Sequence, residues 1–156
     1  MAIRSIRTEG DEILKKKSKK VEVIDEKIKE LIKDMIETLH KYDGVGLAAV
    51  QVGILKQIVV IHEGEDKPIY VLINPEIISQ TGVQVVEEGC LSFPNKFAKI
   101  ERPEKIKIKA LDENGKEIII TGKGLLAQAI SHELDHLNGE VFIDKIMPGT
   151  LEIIKQ

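Results

Sequence analysis

The residues best suited to chemistry form one short motif, His132-Glu133-Leu134-Asp135-His136. On a helix, residues four apart share one face with their Cβ atoms about 5–6 Å apart, so His132 and His136 could bind one cation together. Glu133 is adjacent and could act as general base on a water activated by that cation. The alternative is an ordinary charged helix face in water, and the motif alone leaves both interpretations open.

A catalytic metal site usually takes three protein ligands and keeps a fourth position open. One class of metallopeptidase has its third histidine where this chain has Phe142, and another takes a glutamate from a later helix. The glutamates after the motif, Glu140 and Glu152, lie in no convincing helical pattern. The remaining soft ligand is Cys90, the single cysteine, for which an inert buried thiol is the alternative interpretation.

The pattern of apolar residues predicts the elements that position this motif. A helix is expected over 25–40, with Asp25 as its N-cap, and a second over 124–137, carrying the histidine motif and ending before Gly139. Segment 44–53 is expected to be a glycine-bearing loop. Strands are expected over 57–63, 68–78, 82–89 and 105–111.

This order of elements predicts an α+β fold. We expect antiparallel or mixed β-sheets packed around a central metal-binding helix, the one with the histidine motif, together with an N-terminal helix. The length of 156 residues and the absence of a Pro/Gly/Ser-rich linker predict one catalytic domain over 1–156.

Composition and charge argue against several partners and cellular locations. The net charge of −3 gives no large basic footprint, so neither nucleic acid nor an anionic membrane is expected as a partner. A single cysteine allows no internal disulfide and favours a reducing compartment. No apolar run approaches the ~20 residues of a membrane span, and the first residues lack the pattern of a secretory signal. We therefore expect a cytoplasmic protein.

Three separated motifs resemble those of the peptide deformylase family, and their order and spacing agree with it. They are Gly44-Val45-Gly46-Leu47-Ala48-Ala49-Val50-Gln51, Glu88-Gly89-Cys90-Leu91-Ser92, and His132-Glu133-Leu134-Asp135-His136-Leu137-Asn138-Gly139. The resemblance covers nearly the whole chain. It implies hydrolysis of the N-formyl group from the N-terminal formyl-methionine of newly synthesised polypeptides, with release of formate.

The resemblance also implies a role for particular residues. One divalent metal, natively Fe²⁺ and replaceable by Zn²⁺, Ni²⁺ or Co²⁺, would be held by Cys90, His132 and His136. Glu133 would take a proton from the attacking water and deliver it to the leaving amine. The side-chain amide of Gln51 and the backbone N–H of Leu91 would donate hydrogen bonds to the formyl oxygen as it becomes an oxyanion.

Substrate-binding residues follow from the same resemblance. Gly46 would run beside the extended substrate backbone, and Val45, Leu125 and Ala129 would line an apolar slot for methionine. Glu88 would help at the site, pairing with Arg102 and fixing ligand orientation. The implied partners are N-formylmethionyl peptides and nascent chains, with no more than transient proximity to the ribosome.

The chain departs from the family pattern beside the site. Family members often carry Arg where Gln128 stands, Gln where Ser131 stands, and a positive residue where Phe97 stands. These differences keep open a metal- or peptide-binding relative without catalysis, and an HExxH peptidase is the other alternative. The two further histidines, His40 and His62, are expected to be surface residues rather than ligands.

Overall fold

A computed structural model describes residues 2–154, which contain two α-helices and eight β-strands. Numbered in chain order, the elements are α1 (Glu26–Lys41), β1 (Gly46–Ala48), β2 (Ile58–His62), β3 (Ile69–Thr81), β4 (Gln84–Cys90), β5 (Phe93–Arg102), β6 (Lys105–Leu111), β7 (Glu117–Lys123), α2 (Leu125–Leu137) and β8 (Glu152–Ile153). Single turns of 3₁₀ helix span Glu12–Lys15, Ala49–Val52 and Phe142–Lys145. The predicted α+β class is confirmed.

The strands form two sheets, one of five strands in the order β1-β2-β3-β6-β7 and one of three in the order β4-β5-β8. Every neighbouring pair is antiparallel. The mixed sheet that was allowed as an alternative is therefore wrong. Most paired strands follow one another through short connections, and such connections can join antiparallel neighbours only.

Helix α1 begins where its N-cap was predicted, because the Asp25 side chain accepts a hydrogen bond from the Ile28 N–H at 3.0 Å. Its apolar face is buried against β2 and β3, and this cluster includes Leu31, Met35 and Leu39. The helical spacing of apolar residues in the sequence thus corresponds to the face that packs on the five-stranded sheet.

Helix α2 packs against the other face of the same sheet. Ala127, Ile130 and Leu134 are buried together with Ile106 and Ile108 of β6. The helix also contacts β5 of the smaller sheet. Both sheets therefore lie beside the helix that carries the histidine motif.

The end of α2 requires a glycine. Gly139 has a φ of +76°, and a Cβ there would lie 2.5 Å from the carbonyl oxygen of Lys15. The predicted glycine stop is confirmed, and it also allows close packing on the N-terminal segment.

Two segments differ from prediction. The expected loop over 44–53 contains β1, which pairs with β2, and then a 3₁₀ turn. Strand β5 was not predicted, because Pro94 and Asn95 are poor strand formers and Asn95 has a φ of +65°. Its pairing with β4 along almost its whole length outweighs these local preferences. Within the described residues, neither helix combines the length and apolar character needed to cross a lipid bilayer.

Candidate active site

One cleft of about 740 Å³ brings together ten of the eleven predicted site residues. A cleft of this size is typical of small-molecule and peptide sites. The ten are Val45, Gly46, Gln51, Glu88, Cys90, Leu91, Leu125, Ala129, His132 and Glu133. His136 lies behind the wall of the cleft and is completely buried.

The possible metal ligands meet where the end of β4 faces α2. The sulfur of Cys90 and one ring nitrogen each of His132 and His136 lie within 4.8 Å of one another, and the sulfur is 3.3 Å from His136 Nε2. In the described part of the chain, this is the one group of three or more Cys, His, Asp or Glu residues close enough to share an ion. Thiolate and imidazole donors suit divalent ions such as Zn²⁺ and Fe²⁺.

His132 is oriented by a carboxylate behind it. Its Nδ1–H donates to Glu88 Oε2 at 2.6 Å, which leaves Nε2 as the nitrogen free to bind a cation. Glu88 also accepts two hydrogen bonds from Arg102, at 3.0 Å and 2.6 Å, so the predicted Glu88–Arg102 pair forms. The hydrogen bonds from His132 and Arg102 outweigh burial and lower the pKa of Glu88 to about 2.

The same guanidinium reaches back to α2, a link that the sequence analysis missed. Arg102 Nη1 donates to Asp135 Oδ2 at 2.6 Å and to Ser131 Oγ at 3.3 Å. Lys145 then bonds the other oxygen of Asp135 at 3.0 Å. Asp135 lies three residues after His132, and that helical spacing was the signal that could have placed it on the side of the motif facing Arg102.

Glu133 is buried beside these ligands, and its Oε1 has no hydrogen-bond partner among the described residues. Burial raises the pKa of Glu133 to about 7, against the opposing charge of His132. A carboxylate with a pKa near neutrality is well matched to general-base work. Gly46 makes room for it, because a Cβ at that position would lie 2.7 Å from Glu133 Oε2.

The pKa values of His132 and His136 are shifted in opposite directions. Burial alone would lower the pKa of His132, but the charges and hydrogen bonds of Glu133, Cys90 and Glu88 raise it well above its usual value. Burial and the nearby His132 charge hold the pKa of His136 well below its usual value. The anionic groups that favour a proton on His132 would equally stabilise a divalent cation between the ligands, so the residues fit a metal.

Gln51 is held with its amide nitrogen towards the ligands. Its Oε1 accepts the Ala48 N–H at 2.9 Å, and its Nε2 lies 3.1 Å from Ser92 Oγ and 3.7 Å from Cys90 Sγ. Leu91 follows Cys90 in the turn between β4 and β5 and lines the same cleft. Both predicted hydrogen-bond donors therefore lie next to the possible metal ligands.

The proposed methionine slot has apolar and polar parts. Val45, Leu125 and Ala129, which are predicted to form it, all line the cleft, and Leu125 has 46% of its surface exposed. Gln128 also lines the cleft and donates to Glu88 Oε1 at 3.3 Å. Residues outside the three motifs also line the cleft, among them Ile6, Thr8, Tyr42, Phe93, Lys96 and Phe97.

Comparisons with known proteins agree with one another. The family model for polypeptide deformylase matches residues 3–151. Peptide deformylase 1 of Clostridium acetobutylicum is 58% identical over 94% of this chain and 96% of its own. A crystal structure of a peptide deformylase from Legionella pneumophila is 47% identical with a TM-score of 0.91, covering 94% of this chain and 88% of that one. One from Ehrlichia chaffeensis in complex with actinonin is 42% identical with a TM-score of 0.92, covering 95% and 91%.

Proposed function

Because the chain belongs to the polypeptide deformylase family, we propose that it hydrolyses the N-formyl group at the N-terminal methionine of newly synthesised polypeptides and releases formate. The observation that carries the proposal is the meeting of Cys90, His132 and His136 beside the buried Glu133, at the wall of one cleft. The substrates would be formylated peptides and nascent chains. We further propose that the protein acts in the cytoplasm, in transient proximity to the ribosome.

The metal would be held by the thiolate of Cys90 and the imidazoles of His132 and His136 on α2, which would make α2 the central metal-binding helix. When bound, a divalent metal supplies Lewis acidity that activates water and polarises a carbonyl. We propose Fe²⁺ as the native ion, with Zn²⁺, Ni²⁺ or Co²⁺ as replacements. A thiolate ligand makes an iron site sensitive to oxygen, so iron-loaded protein should lose activity in air.

Glu133 would move the protons. Its buried carboxylate would take a proton from the attacking water and later give it to the departing amine nitrogen, which leaves formate and a free N-terminus. A pKa of about 7 suits both transfers, since the carboxylate can accept and return a proton near neutral pH. Its position is fixed on one side by the absence of a side chain at Gly46.

The Gln51 amide and the Leu91 N–H would stabilise negative charge on the formyl oxygen. The bond from Ala48 to Gln51 Oε1 fixes which end of the amide faces the ligands, so the donor is oriented before substrate binds. Gly46 would pass beside the substrate backbone, and Val45, Leu125 and Ala129 would enclose the methionine side chain. We further propose that residues 1–156 act as one catalytic domain, since cleft residues come from positions between Ile6 and Glu133.

The test is formate release from formyl-Met-Ala-Ser by protein prepared without oxygen and loaded with Fe²⁺. We expect formate and intact Met-Ala-Ser as the products, and we expect Gln51→Ala to reduce the rate by up to ~10²–10³-fold. Cleavage of a peptide bond would instead indicate a peptidase. Metal-loaded protein with neither reaction would indicate a binding relative, and either result would overturn the proposal.

A further inference from the structure

Two histidines outside the cleft form a hydrogen-bonded pair on the surface. His40 lies in the last turn of α1 and is exposed, and His62 is the last residue of β2 and is partly exposed. His40 Nε2 is 2.9 Å from His62 Nδ1, with the ring centroids 5.0 Å apart. The sequence predicts both to be ordinary surface residues, and the role proposed above for the cleft uses neither.

The hydrogen bonds define the protonation of this pair. His62 Nε2 lies 3.0 Å from the carbonyl oxygen of Lys67, and because a carbonyl only accepts, this nitrogen carries the hydrogen. In the neutral ring His62 Nδ1 is then a bare lone pair, and His40 Nε2 donates to it. A second tautomer of His40, with its hydrogen on Nδ1, would place two lone pairs against one another.

In that tautomer both nitrogens have a free lone pair, through which an imidazole binds a metal ion. A bond of about 2.0–2.1 Å from each nitrogen, at a right angle, separates two imidazole nitrogens by about 2.9 Å. The observed separation of 2.9 Å is that of the hydrogen bond, so binding an ion requires the exposed His40 ring to turn its Nε2 away from the line to His62 Nδ1. An ion that kept this separation would have its two nitrogen donors at a right angle, which suits the square-planar or octahedral geometry of Cu²⁺ and Ni²⁺ better than tetrahedral Zn²⁺.

The backbone around the pair also favours a cation. His40 lies at the C-terminal end of a 16-residue helix, where the last carbonyl groups give a partial negative charge. We propose that His40 and His62 form a second metal site, separate from the Cys90 cluster, that takes a divalent transition-metal ion of the Ni²⁺ or Cu²⁺ type with water as the remaining ligands.

The site would adjoin the cleft through the backbone. The His62 N–H donates to the Val45 carbonyl oxygen at 2.8 Å, and the Asp43 N–H donates to the His40 carbonyl oxygen at 3.3 Å. Asp43 and Val45 both line the cleft. An ion held by the two histidines would therefore link the end of α1 to the end of β2, which both contact this side of the cleft.

The experiment uses protein loaded with one equivalent of Ni²⁺, desalted, and then titrated with NiCl₂ by calorimetry at about pH 8, where imidazole nitrogens are free to bind metal. We expect one further, weaker binding event per chain. His40→Ala and His62→Ala should each lose that event while retaining the first nickel ion, as measured by elemental analysis. Lys41→Ala is the control, since it alters an exposed neighbour of His40 and should keep the event.

Diffraction at the nickel absorption edge provides an independent measurement. An anomalous peak between His40 Nε2 and His62 Nδ1, in addition to any peak at Cys90, would support the site. No second event in the unaltered protein, or an event that persists in both histidine variants, would overturn it. Failure of the first nickel ion to bind would count against the proposed catalytic metal instead, so the two proposals can fail separately.

Discussion

Glu133 is a buried carboxylate in an unfavourable electrostatic environment, and it is the proposed general base. Its carboxylate is buried, one oxygen has no partner among the described residues, and its pKa is raised to about 7. Water would stabilise this charge far better, and a buried carboxylate with a raised pKa beside a cleft is the arrangement that the proposed general base requires. Gly46 leaves space for this carboxylate, and the charges of His132 and Arg102 limit how far burial raises its pKa.

Replacing Glu133 by Gln should remove the base and leave the metal ligands in place. We expect the rate of formate release to fall by ~10²–10⁴-fold, because the amide cannot accept the proton. Elemental analysis should still find one metal ion per chain. Glu140→Gln, which changes a half-buried carboxylate paired with Lys145 after the same helix, should have the unaltered rate. If Glu133→Gln lost its metal, the carboxylate would be a ligand and its assignment as base would be wrong.

Gly46→Ala tests whether the space beside Glu133 matters. The new Cβ would lie 2.7 Å from Glu133 Oε2, so the carboxylate must move, and a displacement near 1 Å can cost ~10²-fold in kcat. Gly64→Ala is the matched control, because its Cβ would meet nothing closer than 3.5 Å. Steady-state kinetics of both variants, with thermal unfolding as a check on folding, makes the measurement. Equal kcat values in the two variants would contradict the proposed role of Gly46.

At the scale of elements, local sequence patterns predicted a helix or strand correctly where the tertiary contacts of that segment favour the same structure. Helix α1 and strand β6 follow the periodicity of their apolar residues, and Gly139 ends α2 as its position suggested. Strand β5 and strand β1 could not be predicted locally, because β5 contains Pro94 and Asn95 and β1 is only three residues long. Pairing with distant strands creates both, and no short window of sequence contains that information.

The N-cap of α1 gives a prediction at this scale. Asp25→Ala removes the acceptor for the Ile28 N–H, and such a loss typically costs about 1 kcal/mol of the free energy of unfolding. Urea denaturation should detect this change without any change in formate release, since the helix end is distant in sequence from every cleft residue. Glu22→Ala removes an exposed carboxylate just before the helix and should leave stability within about 0.5 kcal/mol of the original. Equal stability of the two variants would show that the cap contributes nothing.

At the scale of the whole molecule, the site depends on contacts that no motif reveals. The three family motifs predicted which residues would meet, and the Glu88–Arg102 pair was expected, but its extension through Asp135 to Lys145 was visible only in three dimensions. These groups come from β4, β5, α2 and the turn after it. They couple the orientation of His132 to the packing of the two sheets, so the charge state of the site should affect the stability of the whole fold.

Two buried glutamates should give this stability opposite dependences on pH in metal-free protein. The pKa of Glu88 is about 2 in the folded chain and 4.5 when unfolded, so its contribution is complete above pH 4.5 and is lost as the pH falls towards 2. The pKa of Glu133 is about 7 when folded and 4.5 when unfolded, so the folded chain retains a proton that the unfolded chain releases. Glu133 therefore lowers the free energy of unfolding progressively as the pH rises from 4.5 to 7. Each effect amounts to about 3 kcal/mol.

Urea unfolding of chelator-treated protein between about pH 3 and pH 8 measures both effects. Glu133→Gln should be more stable than the unaltered chain above pH 7, by up to about 3 kcal/mol, because it removes a buried charge, even though we expect its formate release to be much slower. Glu88→Gln should lose the decline in stability below pH 4.5 and should be less stable at neutral pH, because the buried Arg102 then keeps only Asp135 as a carboxylate partner. Glu87→Gln, an exposed neighbour on β4, should follow the unaltered chain. If Glu133→Gln showed no gain above pH 7, the carboxylate would already be solvated in the folded protein, and a base with a raised pKa would have to be sought elsewhere.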